Sequence, residues 1–247
     1  MRLTLLLILS YHLTLFSQNR TAEEVVKLSE EKMRGKTLQG QMLIRTVRPT
    51  YTREMEVKVW TKGNDYSLIQ VLSPPKEKGI TFLKRKKEVW NWIPTLERTI
   101  KLPPSMMSQS WMGTDFTNDD LVKESSILND YNQSFLEEEK ISDRMCWKIQ
   151  LQPKPKAAVV WGKIIVWIDQ KDFLQLRSEF YDEDGALTNI MMGSAIKEMG
   201  GRTLPTEIEM TTNEKPGNKT ILQYKWLKFD QPLTDDYFST QQMKNPK

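Results

Sequence analysis

Between residues 37 and 229 this chain alternates apolar and polar side chains with a period of two. Successive side chains of a strand point to opposite faces, so the pattern calls for strands with one buried face and rules out a helical fold. Leu38, Gly40, Met42 and Ile44 share one face, and Gln39, Gln41 and Arg45 share the other. Met55, Val57 and Val59 then oppose Glu54, Glu56 and Lys58, and Trp60 breaks the pattern by falling on the charged face. Turn signals at Gly63-Asn64-Asp65, Pro74-Pro75, Asp169 to Asp172, Asp184-Gly185, Gly200-Gly201 and Pro216-Gly217 separate the runs. Further strands are expected over 66–72, 80–85, 89–93, 145–151, 159–168, 173–181, 187–196, 204–212 and 220–229. In 159–168, Trp161 and Trp167 are placed on one face and Ile164, Val166 and Ile168 on the other, which predicts a strand covered on both sides. About ten or eleven strands without a repeat or a Pro/Ser linker imply one domain over 18–247. So large an antiparallel sheet must curl, close or be covered on its concave face.

Two ends flank this series. A short amphipathic helix is expected over 21–33, with Thr21 as N-cap, Glu23 and Glu24 in the first turn and Gly35 after the end. Ahead of it, Met1-Arg2, an apolar run from Leu3 to Phe16 and the polar Gln18-Asn19-Arg20 have the layout of a secretory signal peptide over 1–17. The apolar run is shorter than the ~20 residues of a spanning helix. At the other end, the stretch from Gln231 is polar and expected to pack loosely.

Composition removes whole classes of chemistry. The only histidine, His12, lies in the expected leader, which excludes Ser-His and Cys-His nucleophiles and His-ligated zinc from the mature chain. The single Cys146 cannot form an internal disulfide and alternates as a buried thiol should. Without the leader the formal charge is +3, with both signs mixed along the chain, so no nucleic-acid surface is expected. No phosphate-binding glycine loop, CxxC or HExxH occurs, and neither a cofactor nor an enzymatic activity is expected. Asp115, Asp119 and Asp120 read as a helix cap on a solvated loop, with a short helical stretch over 120–124.

What remains is an unusually greasy stretch, VWNWIPTLERTIKLPPSMMSQSWMGTDFTNDD, over 89–120. It begins as a strand carrying Trp90 and Trp92, turns at Pro94, runs out through Ile100 and Leu102, and breaks at Pro103-Pro104 into Met106, Met107, Trp111 and Met112. Met offers a soft, adaptable surface that suits a ligand of variable shape. Pattern alone leaves two readings for Trp60, Trp90, Trp92 and these methionines: core filling under a long loop, or the lining of a cavity. Arg45, Arg53 and Arg98 lie in or beside strands. Each reads first as a surface charge, and inside a cavity any of them would bond a ligand carbonyl or phosphate.

The stretch over 89–122 and the hairpin VWIDQKDFLQLRSEFYDEDGAL over 166–187 resemble the LolA-like outer-membrane lipoprotein-sorting proteins. The resemblance extends over most of the mature chain. It implies a mainly β fold with a helical lid, an incomplete antiparallel β-barrel curled around a hydrophobic cavity, and with it Trp60, Trp90 and Trp92 are expected in the cavity wall and Met106, Met107, Trp111 and Met112 in the lid or rim. It implies a monomeric periplasmic carrier that takes the acyl chains of a lipoprotein, or another lipid, from an inner-membrane transporter to an outer-membrane acceptor. An accessory or sensor module that docks on a membrane transporter or signalling protein through the same face stays open beside it.

Overall fold

The computed structural model describes residues 20–123 and 127–246. The expected leader over 1–17 lies outside these residues, as does Glu124.

The expected helix forms as α1, Ala22–Arg34, and Thr21 and Glu24 close a reciprocal capping box at its start. Two meanders follow. The first comprises β1 (Thr37–Arg48), β2 (Tyr51–Lys62), β3 (Tyr66–Ser73), β4 (Thr81–Arg85), β5 (Glu88–Ile93) and β6 (Arg98–Leu102). The second comprises β7 (Tyr131–Ile141), β8 (Arg144–Pro153), β9 (Lys163–Asp169), β10 (Gln175–Tyr181), β11 (Leu187–Met199), β12 (Arg202–Thr212) and β13 (Lys219–Phe229). Among the described residues these form one antiparallel sheet in the order β6-β5-β4-β3-β2-β1-β13-β12-β11-β10-β9-β8-β7. The sheet is curled and not closed: β6 and β7 are its free edges, and the chain between them runs over the concave side. At the central seam β1 bulges against β13 between Gln41 and Met42. Gly40 sits there because a Cβ would come within 2.5 Å of the Leu227 Cδ2 atom.

The main core fills the concave face, from Ile44, Met55 and Val57 of the first meander to Ile164, Val166 and Met210 of the second. α1 seals part of it with Ala22, Val25 and Val26. Two smaller clusters cover the convex face. One is Trp60, Tyr66, Leu68 and Leu83 under Phe238 and Met243. The other is Ile141, Cys146, Ile165, Trp167, Leu174 and Leu176.

Three expectations need correction. The C-terminal stretch is anchored, because Phe238 and Met243 are completely buried against the outer face. Trp161 precedes β9 and belongs with Ile164 and Val166 in the main core, while Trp167 faces the outer cluster. Finally, β7 is a strand that alternation does not reveal. It is an edge strand with Ser134 to Glu138 all exposed, so no apolar face marks it.

Candidate functional site

Inside the curl lies a cavity of about 290 Å³. Inward residues of both meanders wall it, among them Met42, Val57, Ile69, Val166, Met191 and Leu222, and Trp111 and Phe116 belong to the same lining. Glu30, Met33 and Arg34 of α1 line it together with Leu38, Thr61 and Ser67. These last three share one row of the sheet, since Leu38 pairs with Thr61 and Thr61 with Ser67. That row lies at the end of the sheet nearest the helix C-terminus, and its Thr61 and Ser67 with Glu30 and Arg34 of the helix make a polar rim at this end of a mostly apolar chamber.

The segment after β6 is held by its own hydrogen bonds and by arginines. Trp111 N–H donates to the Phe116 carbonyl at 2.8 Å, and Asn118 N–H to the Gln109 carbonyl at 2.9 Å. Arg53 donates to the Met112 carbonyl at 2.7 Å and pairs with Glu77. Arg48 donates to the Gly113 carbonyl at 3.0 Å and to the Asp115 carboxylate at 2.9 Å, with both side chains largely buried. Asp115 also accepts from the Thr220 hydroxyl at 2.7 Å. A half-buried charge network of this kind fixes geometry, since leaving either partner unpaired would be costly. The Met-Trp segment is therefore a pinned cover over this part of the concave face.

Asp119 and Asp120 open a short π-helical turn, Asp119–Lys123, and both line the cavity. They are not on a solvated loop. Asp120 accepts from the Trp161 indole N–H at 2.9 Å and from the Thr117 backbone N–H at 2.8 Å. Burial pushes its pKa up to about 6 against the lowering effect of these bonds. The nearby Tyr131 hydroxyl is pushed upward by burial and by the charges of Asp119 and Asp120. The Cys146 thiol, buried in the outer cluster, is pushed up to about 11 by desolvation, which makes it a structural group. Among the described residues no group of three or more His, Cys, Asp or Glu is placed to hold a metal ion.

Of the residues singled out by sequence, Trp111 lines the cavity and packs its ring 5.5 Å from that of Phe82. Met107 is buried in the core beneath it, and Met106 and Met112 are half-buried against that core. Trp60, Trp90 and Trp92 are brought together, but on the convex face against Leu68, Leu83 and Phe238. Their aromatic faces meet the C-terminal segment and three cations, Lys58 over Trp60, Lys101 over Trp90 and Lys244 over Trp92. Arg45 points outward to Glu54 at 2.8 Å. Arg53 bonds the protein's own chain, and Arg98 is exposed on edge strand β6. Trp161, Met33 and Arg34 on the lining, and Arg48 on the cover, were missed by sequence reasoning, and Asp120 was read there as a solvated cap. The contacts that bring Asp120 to Trp161 and Arg48 to Asp115 have no local signal, since the partners lie 41 and 67 residues away.

A family model described as an uncharacterized protein matches residues 63–245. Comparison with curated proteins found no match. Among solved structures, the chain is similar to a LolA superfamily protein from Nitrosomonas europaea, with 24% identity and a TM-score of 0.78 over 90% of this chain and 99% of that one. It is similar to a DUF1329 family protein from Desulfovibrio piger, with 19% identity and a TM-score of 0.81 over 90% and 97%. It is also similar to a domain described as an outer membrane lipoprotein-sorting protein, from Vibrio parahaemolyticus, with 22% identity and a TM-score of 0.76 over 91% and 98%.

Proposed function

The chain belongs to the family whose model matches residues 63–245 and has the LolA-type fold; from these premises we propose that it is a periplasmic carrier of acyl chains. Its cargo is a lipoprotein or a related lipid, taken from an inner-membrane transporter and passed towards the outer membrane. The observation that carries this reading is the apolar cavity of about 290 Å³ inside the curl.

Each methylene kept out of water contributes about 0.8 kcal/mol, so a long acyl chain represents more than ~10 kcal/mol of transfer free energy. A carrier must offset much of that and still release its load. A cavity lined by Met42, Met191 and aliphatic side chains, and only partly filled, does both. Its volume is at the small end of ligand sites, which span roughly 300–1,000 Å³, so a full load requires the walls to part. The Met-Trp cover is pinned by Arg48 and Arg53. The gate in this reading is α1, whose C-terminal end is held to the sheet by Arg202 on the Glu31 and Lys32 carbonyls and by Arg34 on the Gly63 carbonyl, so these few contacts must give way for the helix to move aside.

The test is binding of a fluorescent fatty acid to the purified protein. Met191→Glu on the cavity wall and Ile69→Trp, which fills the chamber, are expected to weaken binding at least ~10-fold, the cost of one buried charge or lost volume. Trp90→Asp on the convex face is expected to leave it unchanged. Mass spectrometry of extracted lipid identifies the cargo. Failure of the folded wild type to bind any acyl probe, together with a stable protein complex lacking lipid, would overturn the carrier in favour of an accessory module.

A further inference from the structure

The sequence contains one run of four consecutive cations, Lys84-Arg85-Lys86-Lys87, and the fold puts it at the tip of the β4–β5 hairpin. Arg85, Lys86 and Lys87 are exposed. Lys86 occupies the tip at a φ of +56°, a conformation that hairpin turns ordinarily assign to Gly or Asn. A lysine there is not what the turn itself selects.

This tip adjoins the rim of the cavity through a continuous set of hydrogen bonds. Arg34, which lines the cavity, donates to the Gly63 carbonyl at 3.2 Å. Gly63 N–H donates to the Lys36 carbonyl at 3.0 Å. In the same turn the Asn64 carbonyl accepts from the Lys84 ammonium, and the Asp65 carbonyl accepts from Lys86 N–H at 2.6 Å. The C-terminal end of α1, the β2–β3 turn and the basic tip therefore form one surface at the polar end of the chamber. Lys32, Arg34 and Lys36 add to its charge. The acids close by are Glu30, Glu31, Asp65, Glu88, Asp230 and Asp235; Glu88 is paired with Lys101, Asp230 with Arg202, and Asp235 is held by Lys62 and Tyr66.

We propose that this end of the molecule docks on an anionic membrane surface, presenting the polar rim of the cavity to the bilayer. The proposal rests on the carrier reading, because acyl cargo is drawn from or returned to a bilayer through that rim. The surface is a convex tip of exposed cations, Arg85, Lys86 and Lys87, without a shaped groove, which suits a fluid plane of phosphate headgroups. Such attraction extends over about one Debye length, ~8 Å at physiological salt, so binding is reversible and salt-sensitive.

Co-sedimentation tests this with vesicles of phosphatidylcholine alone and of phosphatidylcholine mixed with phosphatidylglycerol. The purified protein is expected to bind only the mixed vesicles and to detach as salt is raised. Combined Arg85→Glu, Lys86→Glu and Lys87→Glu is expected to weaken binding by at least ~10-fold. A variant matched in charge at the opposite end of the sheet, Lys76→Glu, Lys78→Glu and Arg98→Glu, should change it by less than ~2-fold. Indifference of the wild type to phosphatidylglycerol overturns the proposal and points to an acidic protein as the partner of the tip. Equal loss in both variants overturns it as well, because net charge alone would then account for binding. Acyl-probe binding in vesicle-free solution separates the two ideas. The tip variant should retain it, and a wild type that binds vesicles without binding the probe would remove the carrier reading and leave the docking surface standing.

Discussion

Asp120 shows how burial converts a residue that looks like a cap into part of a chamber. The motif DFTNDD has the composition of a solvated loop, and Thr117 and Asp120 do exchange the local bonds of a capping pair. Trp161, distant in sequence, brings its indole to the same carboxylate and closes off water. Nothing local in the sequence encodes that second contact. The consequence is measurable through pH. An unfolded Asp titrates near ~3.9, whereas the folded group titrates near about 6. The folded state thus binds the proton more tightly. Stability from this group is fully present below pH ~4 and is lost as pH rises through 6, by on the order of 3 kcal/mol. Asp120→Asn removes the titration and also one acceptor. Urea unfolding across this range is expected to show the variant less stable than wild type at the acid end, with the gap narrowing or reversing by neutral pH. A gap that does not change with pH would contradict the burial argument.

At the scale of elements, local chemistry was a good guide wherever an element carries its own instructions. The capping box and Gly35 mark α1 to within a residue, and the turn residues divide the sheet where the chain reverses. β7 was invisible because an exposed edge strand has no apolar face to display. Alternation also fails to tell concave from convex. It correctly groups Trp60, Trp90 and Trp92 on one side, yet both sides are covered in this half of the sheet, so the tryptophans alone cannot show which side encloses a cavity. The end of α1 illustrates a contact made by distant chain. Arg202 donates to the Lys32 carbonyl at 3.0 Å, an acceptor that a helix C-terminus leaves open, and to the Glu31 carbonyl at 2.6 Å, which the Gly35 N–H also meets. Its other nitrogen pairs with Asp230 at 2.6 Å, and Asp230 accepts the Lys36 N–H at 2.7 Å. Arg202→Gln should cost about 1–3 kcal/mol locally. Hydrogen exchange is expected to speed up in the last turns of α1 and to stay unchanged in β8 and β9. Acceleration throughout the sheet would mean that Arg202 supports global stability and that α1 is no separate gate.

On the scale of the whole molecule, the open sheet makes the cavity a property of both meanders together. β1 and β13 join them at the seam, and neither half encloses the chamber without the other. This explains why the fold was legible from a period-two pattern while the site was not. A curl follows from having many strands, but the residues that meet inside it come from every part of the chain. It also means that cargo should stabilise the molecule as a unit. A ligand that binds only the folded state adds RT ln(1 + [L]/Kd), about 2.7 kcal/mol at one hundred times Kd. In a chain of this size each kcal/mol raises Tm by roughly 2–4 °C, so saturating fatty acid is expected to raise Tm by about 5–10 °C. Met191→Glu, with a charge set into the wall, should show little of this shift at the same ligand concentration. The comparison matters because an acyl chain adsorbed on the convex tryptophans would be blind to Met191. Equal shifts in wild type and Met191→Glu would place the ligand outside the curl, and a shift abolished by Trp90→Asp instead would assign it to the outer aromatic cluster.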